Sequence, residues 1–308
     1  MMQDLLLIGT FPALAQNLIG TEFRCHPLAA IEHDDALRTS IRAVITRSNY
    51  AVLASVIERL PNLGIIATCG VGYDLIPLDV AAQRNVIVTN TPDVLNSAVA
   101  ELCVGLLFAL LRRIGEGDRF VRSGVWRKGA FPLGVSLAGK QVGIVGLGRI
   151  GKEIARRLEP FGVALSYYGR TGQKLDYRFQ PDLHELARAS DILIVTSPGG
   201  RETEHMIDAS VLEALGAEGY LLNIARGSVV HQEQLIEALA HGVIAGAALD
   251  VFDGEPDIDP RFFTLDNVVL SPHSGSATNE TRLAMARMTL DNLHHFFKDG
   301  TALTPVVA

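Results

Sequence analysis

Cysteine is scarce in this sequence. Only Cys25, Cys69 and Cys103 occur, far apart and in no CxxC pair. That argues against a zinc knuckle or a disulfide framework, leaves no expected metal site, and fits a reducing cytoplasm. Clustered positive charge is missing too. The formal net charge is −7 and there is no long Lys/Arg run, so no nucleic-acid partner is expected. Long hydrophobic runs are absent: the longest, residues 102–111, is ten residues, too short to cross a bilayer. It lies between Glu101 and Arg112-Arg113, which suits a buried helix. Met1-Met2-Gln3-Asp4 carries no basic region, so no secretory leader and no membrane partner are expected. Internal repeats and low-complexity segments are lacking as well.

What remains is a soluble, globular composition, 48% hydrophobic and 20% charged. The 308 residues suffice for two domains. Strand-like runs at residues 4–8, 43–46, 64–68 and 86–89 flank a helical stretch at 51–60. Residues 97–113 read as one helix, with Ser97 as its N-cap. After a glycine-rich, polar stretch (115–139) a second alternation begins. Its strands are expected at 141–145, 164–168, 192–195, 220–223, 245–249 and 268–270. Helices are expected at 150–158 and 232–241, and the tail, 278–297, is helical by pattern. Alternating β and α elements predict parallel sheets covered by helices.

The expected fold is therefore α/β, with two Rossmann-like, doubly wound parallel-sheet domains. A cofactor domain, residues 97–274, is inserted into a substrate domain made of residues 1–96 and 275–308. The two chain crossings predict a hinge, with a ligand in the cleft.

Residues 141–145 run into Gly146-Leu147-Gly148-Arg149-Ile150-Gly151 and then a helix. GxGxxG alone is a weak pattern, but strand before and helix after is the context it needs. Gly146 permits the tight turn, Gly148 lets backbone approach a pyrophosphate, and Gly151 lets helix and strand pack closely. Free amides at the helix N-terminus then face the anion. The second strand ends in Gly169-Arg170-Thr171, with Arg170 nineteen residues past Gly151. An NAD enzyme usually has an acid there; a cation with a hydroxyl suits a 2′-phosphate. NADP(H) is thus the preferred cofactor, with NAD(H) possible. The alternative keeps Arg170 as a surface residue and gives the ribose to Asp176.

Ligands of open parallel sheets bind beyond the carboxyl ends of the strands. Those ends carry Ser197-Pro198, Ile224-Ala225-Arg226, Asp250 with Glu255, and His273 with Gly275. Reducing a 2-oxo acid needs a carboxylate anchor and a proton donor. Arg226 can bind and polarise the acid. His273 can give the proton, and Glu255 can orient its ring.

These residues, with Gly70-Val-Gly-Tyr-Asp74, Asn223-Ile-Ala-Arg-Gly227, the stretch from Ala248 to Pro256, and Ser271-Pro-His273, resemble the D-isomer-specific 2-hydroxyacid dehydrogenases. The likeness is to the NADP-preferring glyoxylate/hydroxypyruvate reductase branch. It covers residue 43 to the C-terminus. The resemblance implies Arg226, Glu255 and His273 as the catalytic set. It gives Val71 and Gly72 amides to the substrate carboxylate, residues 147–150 to the pyrophosphate, and Asp250 to the nicotinamide amide. Ser197, Pro198, Ile224, Ala225 and Gly275 complete the expected cofactor contacts.

The resemblance also implies a homodimer paired through the cofactor domain. Trp126, the only tryptophan, then either packs in that interface or reaches the partner's active site. One departure is Pro198-Gly199-Gly200, where many relatives have Pro-Leu-Thr. Two other functions fit the fold: a dinucleotide-sensing, corepressor-like protein without catalysis, and an enzyme acting on an aromatic 2-oxo acid, 3-phosphoglycerate or phosphite.

Overall fold

A computed structural model describes residues 2–306; Met1, Val307 and Ala308, which belong to the expected substrate domain, lie outside the described residues. The chain divides into two compact units, Met1–Leu95 with Ser276–Ala308, and Asn96–Gly275. Each contains one parallel sheet.

The first unit holds β1 (Asp4–Leu7), β2 (Arg24–Pro27), β3 (Ala43–Thr46), β4 (Ile65–Thr68) and β5 (Ile87–Thr89). Its helices include α1 (Ala13–Glu22), α2 (Asp35–Ser40), α3 (Ala54–Arg59) and α4 (Leu78–Gln83). The sheet order is β2-β1-β3-β4-β5. β3 and β4 are buried along their whole length. Helices cover both faces of a parallel sheet, so its central strands read as unbroken apolar, β-branched runs rather than alternating ones. Leu6, Val44, Ile57, Leu60 and Ile66 lie in this core.

The second unit opens with α5 (Asn96–Leu111) and α6 (Ile114–Arg122). It continues through β6 (Gln141–Val145), α7 (Arg149–Leu158), β7 (Ala164–Tyr168), β8 (Arg178–Gln180), α8 (Leu183–Arg188) and β9 (Ile192–Val195). α9 (Ala209–Leu215), β10 (Tyr220–Asn223), α10 (Gln232–Ala240), β11 (Gly246–Leu249) and β12 (Val268–Leu270) complete it. The order is β12-β11-β10-β9-β6-β7-β8. From β6 the chain winds outward to β8, then returns to β9 and winds the other way. The reversal falls between β6 and β9, so the turn after β6 stands at the sheet's switch point. Asp182 and Asp208 cap α8 and α9 by accepting from the amides of Glu185 and Val211. The chain then forms α11 (Asn279–Asp299), capped by Thr278, within the first unit.

Several expectations need correction. Ser97 is not an N-cap: α5 begins at Asn96, and the Ser97 hydroxyl donates to Glu101 while accepting from Arg157. The helix expected to reach Arg113 stops at Leu111, and Arg113, in the left-handed region at φ 52°, starts α6. The glycine-rich, polar stretch 115–139, for which no helix was expected, contains most of that helix. Its glycines hid an amphipathic pattern that Glu116, Asp118, Arg119 and Arg122 make mostly polar. Among the described residues no helix is long and apolar enough to cross a membrane.

Candidate active site

The turn after β6 is built by its glycines. Gly146 has φ +94°, and a Cβ there would sit 2.9 Å from the Ser197 amide nitrogen. A Cβ on Gly151 would meet the Gly146 carbonyl at 2.5 Å, so α7 packs onto the turn only because that atom is missing. Gly148, by contrast, faces open space. It is the N-cap of α7 and has no side-chain cap. Thus no side chain of the N-cap residue covers the first turn of the helix. A pyrophosphate fits this arrangement: bare backbone, no Cβ in the approach, and the positive end of a helix dipole. Leu147 is buried beneath the turn, and its carbonyl accepts from Gln173 Nε2 at 2.8 Å.

β7 delivers Gly169, Arg170 and Thr171 to the same sheet edge. The Arg170 side chain is 92% exposed, and Glu202, itself exposed, approaches it only to 4.0 Å. That guanidinium is available to a phosphate. Asp176 is exposed and lies just before β8, well beyond the end of β7. Ser197 is buried, and its hydroxyl donates to the Val145 carbonyl at 3.2 Å. Pro198 is exposed, and its carbonyl accepts from the Thr203 hydroxyl at 2.7 Å.

β10 ends in a buried asparagine. Asn223 donates to the Arg226 carbonyl at 2.9 Å and accepts from the Ala225 amide at 3.1 Å, which fixes the Ile224-Ala225-Arg226 turn. Arg226 Nη1 donates to the Ala225 carbonyl at 2.7 Å. The next residue, Gly227, touches the loop after β11: a Cβ there would fall 2.0 Å from the Phe252 carbonyl carbon.

Glu255 stands in that second loop and uses both oxygens. Oε1 accepts from the Phe252 amide at 2.8 Å, and Oε2 accepts from His273 Nδ1 at 2.6 Å. Burial alone would raise the Glu255 pKa. The His273 hydrogen bond and charge, the Phe252 amide and the Arg226 guanidinium outweigh it and hold the carboxyl below its ordinary range. An ionised carboxylate only accepts, so Nδ1 must carry the hydrogen and Nε2 is the nitrogen left for a ligand.

His273 itself is in the left-handed region, φ 49°. Asp250, almost fully buried, holds that turn. Its carboxylate accepts from the Ser271 hydroxyl at 2.5 Å, the Ser274 amide at 2.7 Å and the Gly275 amide at 2.8 Å. Among the described residues no group of three or more His, Cys, Asp or Glu side chains could hold a metal ion.

The second unit therefore gathers Arg226, Glu255 and His273 with the glycine turn along the carboxyl edge of one sheet. Val71 and Gly72 follow β4 in the first unit, where Asn90 Nδ2 donates to the Val71 carbonyl at 2.9 Å. Residues 104–275 match the family described as D-isomer specific 2-hydroxyacid dehydrogenase, NAD binding domain. A glyoxylate/hydroxypyruvate reductase of Arabidopsis thaliana is 48% identical over 88% of this chain and 87% of its own length. The chain belongs to the D-isomer-specific 2-hydroxyacid dehydrogenases.

The likeness to other 2-hydroxyacid dehydrogenases and their relatives extends along the whole chain. A 2-ketogluconate reductase of Gluconobacter oxydans is 42% identical over 99% of this chain and 98% of its own. An NADPH-dependent glyoxylate/hydroxypyruvate reductase from Sinorhizobium meliloti, solved with NADP and malonate, superposes with a TM-score of 0.94. It is 40% identical and covers 100% of this chain and 97% of its own. The NAD-binding family match spans the glycine turn, Arg170, Arg226, Glu255 and His273. Sequence reading gave no role to Asn223, although it lies in a matched stretch, nor to Gln173 and Asn90; these side chains hold the three loops. Asn223 alone left a signal: an amide ending an otherwise apolar strand, where a buried polar group needs partners.

Proposed function

We propose that the chain reduces small 2-oxo acids, glyoxylate and hydroxypyruvate among them, to D-2-hydroxy acids with NADPH. The carrying observation is the Glu255–His273 hydrogen bond beside Arg226, on the sheet edge that bears the glycine turn. The dinucleotide, when bound, supplies the hydride. Residues 97–274 are read as the cofactor domain and residues 1–96 with 275–308 as the substrate domain. The turn from Gly146 to Gly151 takes the pyrophosphate, flanked by Ser197, Pro198, Ile224, Ala225 and Gly275. Arg170 and Thr171, with Gly169 leaving room, take the 2′-phosphate. Asp250 serves the nicotinamide side chiefly by holding the His273 turn.

Arg226 and the amides of Val71 and Gly72 bind the carboxylate, and Arg226 also draws charge from the adjacent carbonyl. His273 gives a proton from Nε2 to the oxygen at C2 as negative charge develops there. Glu255 fixes the ring and balances the imidazolium.

The active form is a homodimer in the cytoplasm. Supporting the dimer, α6 and the arm after it expose Ile114, Val121, Val125, Trp126 and Leu133, the last at 94%. Apolar side chains gathered in one segment mark an association surface.

The test is a spectrophotometric panel of NADPH and NADH, each with glyoxylate, hydroxypyruvate, pyruvate and phenylpyruvate. The expected result is turnover with NADPH and with glyoxylate and hydroxypyruvate. No turnover with any acid would point instead to a protein that only binds a dinucleotide.

A further inference from the structure

The first unit's sheet has a switch point of its own. From β1 the chain goes outward to β2, then crosses back to β3 and continues to β4 and β5. The reversal falls between β1 and β3. In open parallel sheets the crevice at the carboxyl ends of such a pair is where a ligand lies. Two short segments border it: Gly9-Thr10 after β1, and Arg47-Ser48-Asn49-Tyr50 after β3.

These segments are joined. Arg47 Nη1 donates to the Thr10 carbonyl at 2.9 Å, and its guanidinium lies 5.9 Å from the Tyr50 ring centroid. The Tyr50 and Thr10 hydroxyls share a hydrogen bond of 2.6 Å. Gly9, at φ +87°, admits the Tyr50 ring, which a Cβ would meet at 2.3 Å. That hydrogen bond and, against burial, the Arg47 charge hold the Tyr50 phenol below its ordinary range. Among the described residues Arg47 makes this one hydrogen bond and this ring contact, and no ion pair. Most of its N–H donors therefore remain for a ligand.

The same edge carries the backbone assigned to the substrate carboxylate. The Cys69 amide donates to the Thr46 carbonyl at 2.8 Å, so the ends of β3 and β4 lie side by side. Ser48 packs so tightly on Gly70 that a Cβ there would sit 1.9 Å from its hydroxyl oxygen. An acid held by the amides of Val71 and Gly72 thus has Arg47 as a cation along the same edge, where the Arg282 charge also reaches the Cys69 thiol.

We infer that Arg47 is a specificity-determining residue that donates to oxygen atoms the substrate carries beyond C2. This rests on the reading of the site given above. Glyoxylate has no such oxygen. Hydroxypyruvate has one at C3, a 2-oxo sugar acid has several, and a 2-oxo diacid has a carboxylate. The shared chemistry is an acceptor oxygen on the tail of the acid, which a guanidinium recognises by its N–H fork.

The experiment compares kcat/KM at saturating NADPH for wild type, Arg47→Ala and Arg47→Lys. The acids are glyoxylate, hydroxypyruvate, 2-oxogluconate and 2-oxoglutarate. The readout is each longer acid's value divided by that for glyoxylate. In Arg47→Ala at least one of these ratios falls by about tenfold or more, chiefly through KM. A fall for hydroxypyruvate and 2-oxogluconate assigns a hydroxyl; a fall for 2-oxoglutarate assigns a carboxylate. Arg47→Lys keeps the charge without the fork, and restores a carboxylate ratio better than a hydroxyl ratio. Ratios that stay within about twofold of wild type in both variants overturn the inference. A wild type that reduces none of the acids overturns the reading beneath it, so the two failures are distinct.

Discussion

Replacing Glu255 by Gln is the sharpest perturbation of the site, because it changes one atom and little volume. The amide oxygen can still accept from the Phe252 amide, the 2.8 Å contact of Oε1. The amide nitrogen then faces His273 Nδ1 across the former 2.6 Å hydrogen bond. Two donors meet, so the imidazole must change tautomer or turn away. The lost bond was charge-assisted, and such bonds contribute about 1.5–3 kcal/mol. The carboxylate side chain is only 25% exposed, so solvent screens little of this. At about 1.4 kcal/mol per tenfold, kcat should fall about 10- to 100-fold. NADPH affinity should not change, since no phosphate contact is touched.

The linkage has a definite sign. The Glu255 carboxyl is depressed from its ordinary value of 4.5, so its stabilisation is complete above that pH and is lost as pH falls through the folded value. The gap in melting temperature between wild type and Glu255→Gln should therefore be full at neutral pH and narrow below about 4.5. Stopped-flow reduction with NADPH and calorimetry across pH measure both. Near-normal turnover in the variant, or a melting gap independent of pH, would refute the pairing. His273→Gln, assayed alongside, should cost about 10²–10⁴-fold in rate.

Arg170→Ala should weaken NADPH binding about 10- to 100-fold and leave NADH binding unchanged, as titration by fluorescence quenching would show. Gly227→Ala should nearly abolish turnover and lower the melting temperature, because its Cβ would overlap the Phe252 carbonyl at 2.0 Å; a fully active alanine variant would contradict that contact. Trp126→Ala combined with Leu133→Glu should shift sedimentation toward monomer at micromolar concentration, whereas an unchanged dimer would place the interface elsewhere.

Strands buried on both faces could be read from sequence, and so could the partly buried β7 and β12. Ala43–Thr46, Gln141–Val145, Ile192–Val195 and Tyr220–Asn223 have the bounds their apolar runs suggest. The edge strands β5 and β12 were read through their short apolar runs, but two other edge strands escaped. β2, Arg-Cys-His-Pro, and β8, Arg-Phe-Gln, each pair with a single neighbour and are not driven by burial on two sides. Arg226, Glu255 and His273 could be found because each follows a recognisable strand, and strand ends share an edge. Arg47 follows one too, yet nothing in the local residues marks it. Its importance comes from strand order, and which strand lies beside β1 is a long-range fact. Asp250 was legible as a residue of the site, but its grip on the Ser271, Ser274 and Gly275 groups depends on β11 and β12 being neighbours.

The contact of Gly227 with the Phe252 backbone bears on how such a protein can diversify. The loop with Arg226 and the loop with Glu255 meet main chain to main chain, with no side chain between them to shrink or reshape. Neither can lengthen, shift or accept a bulkier residue at that point without the other moving too. A change of one loop alone, whether by mutation or by grafting from a relative, would misplace both the arginine and the carboxylate. The two are inherited as one part, and adaptation to new acids is left to positions outside it, such as the segment after β3.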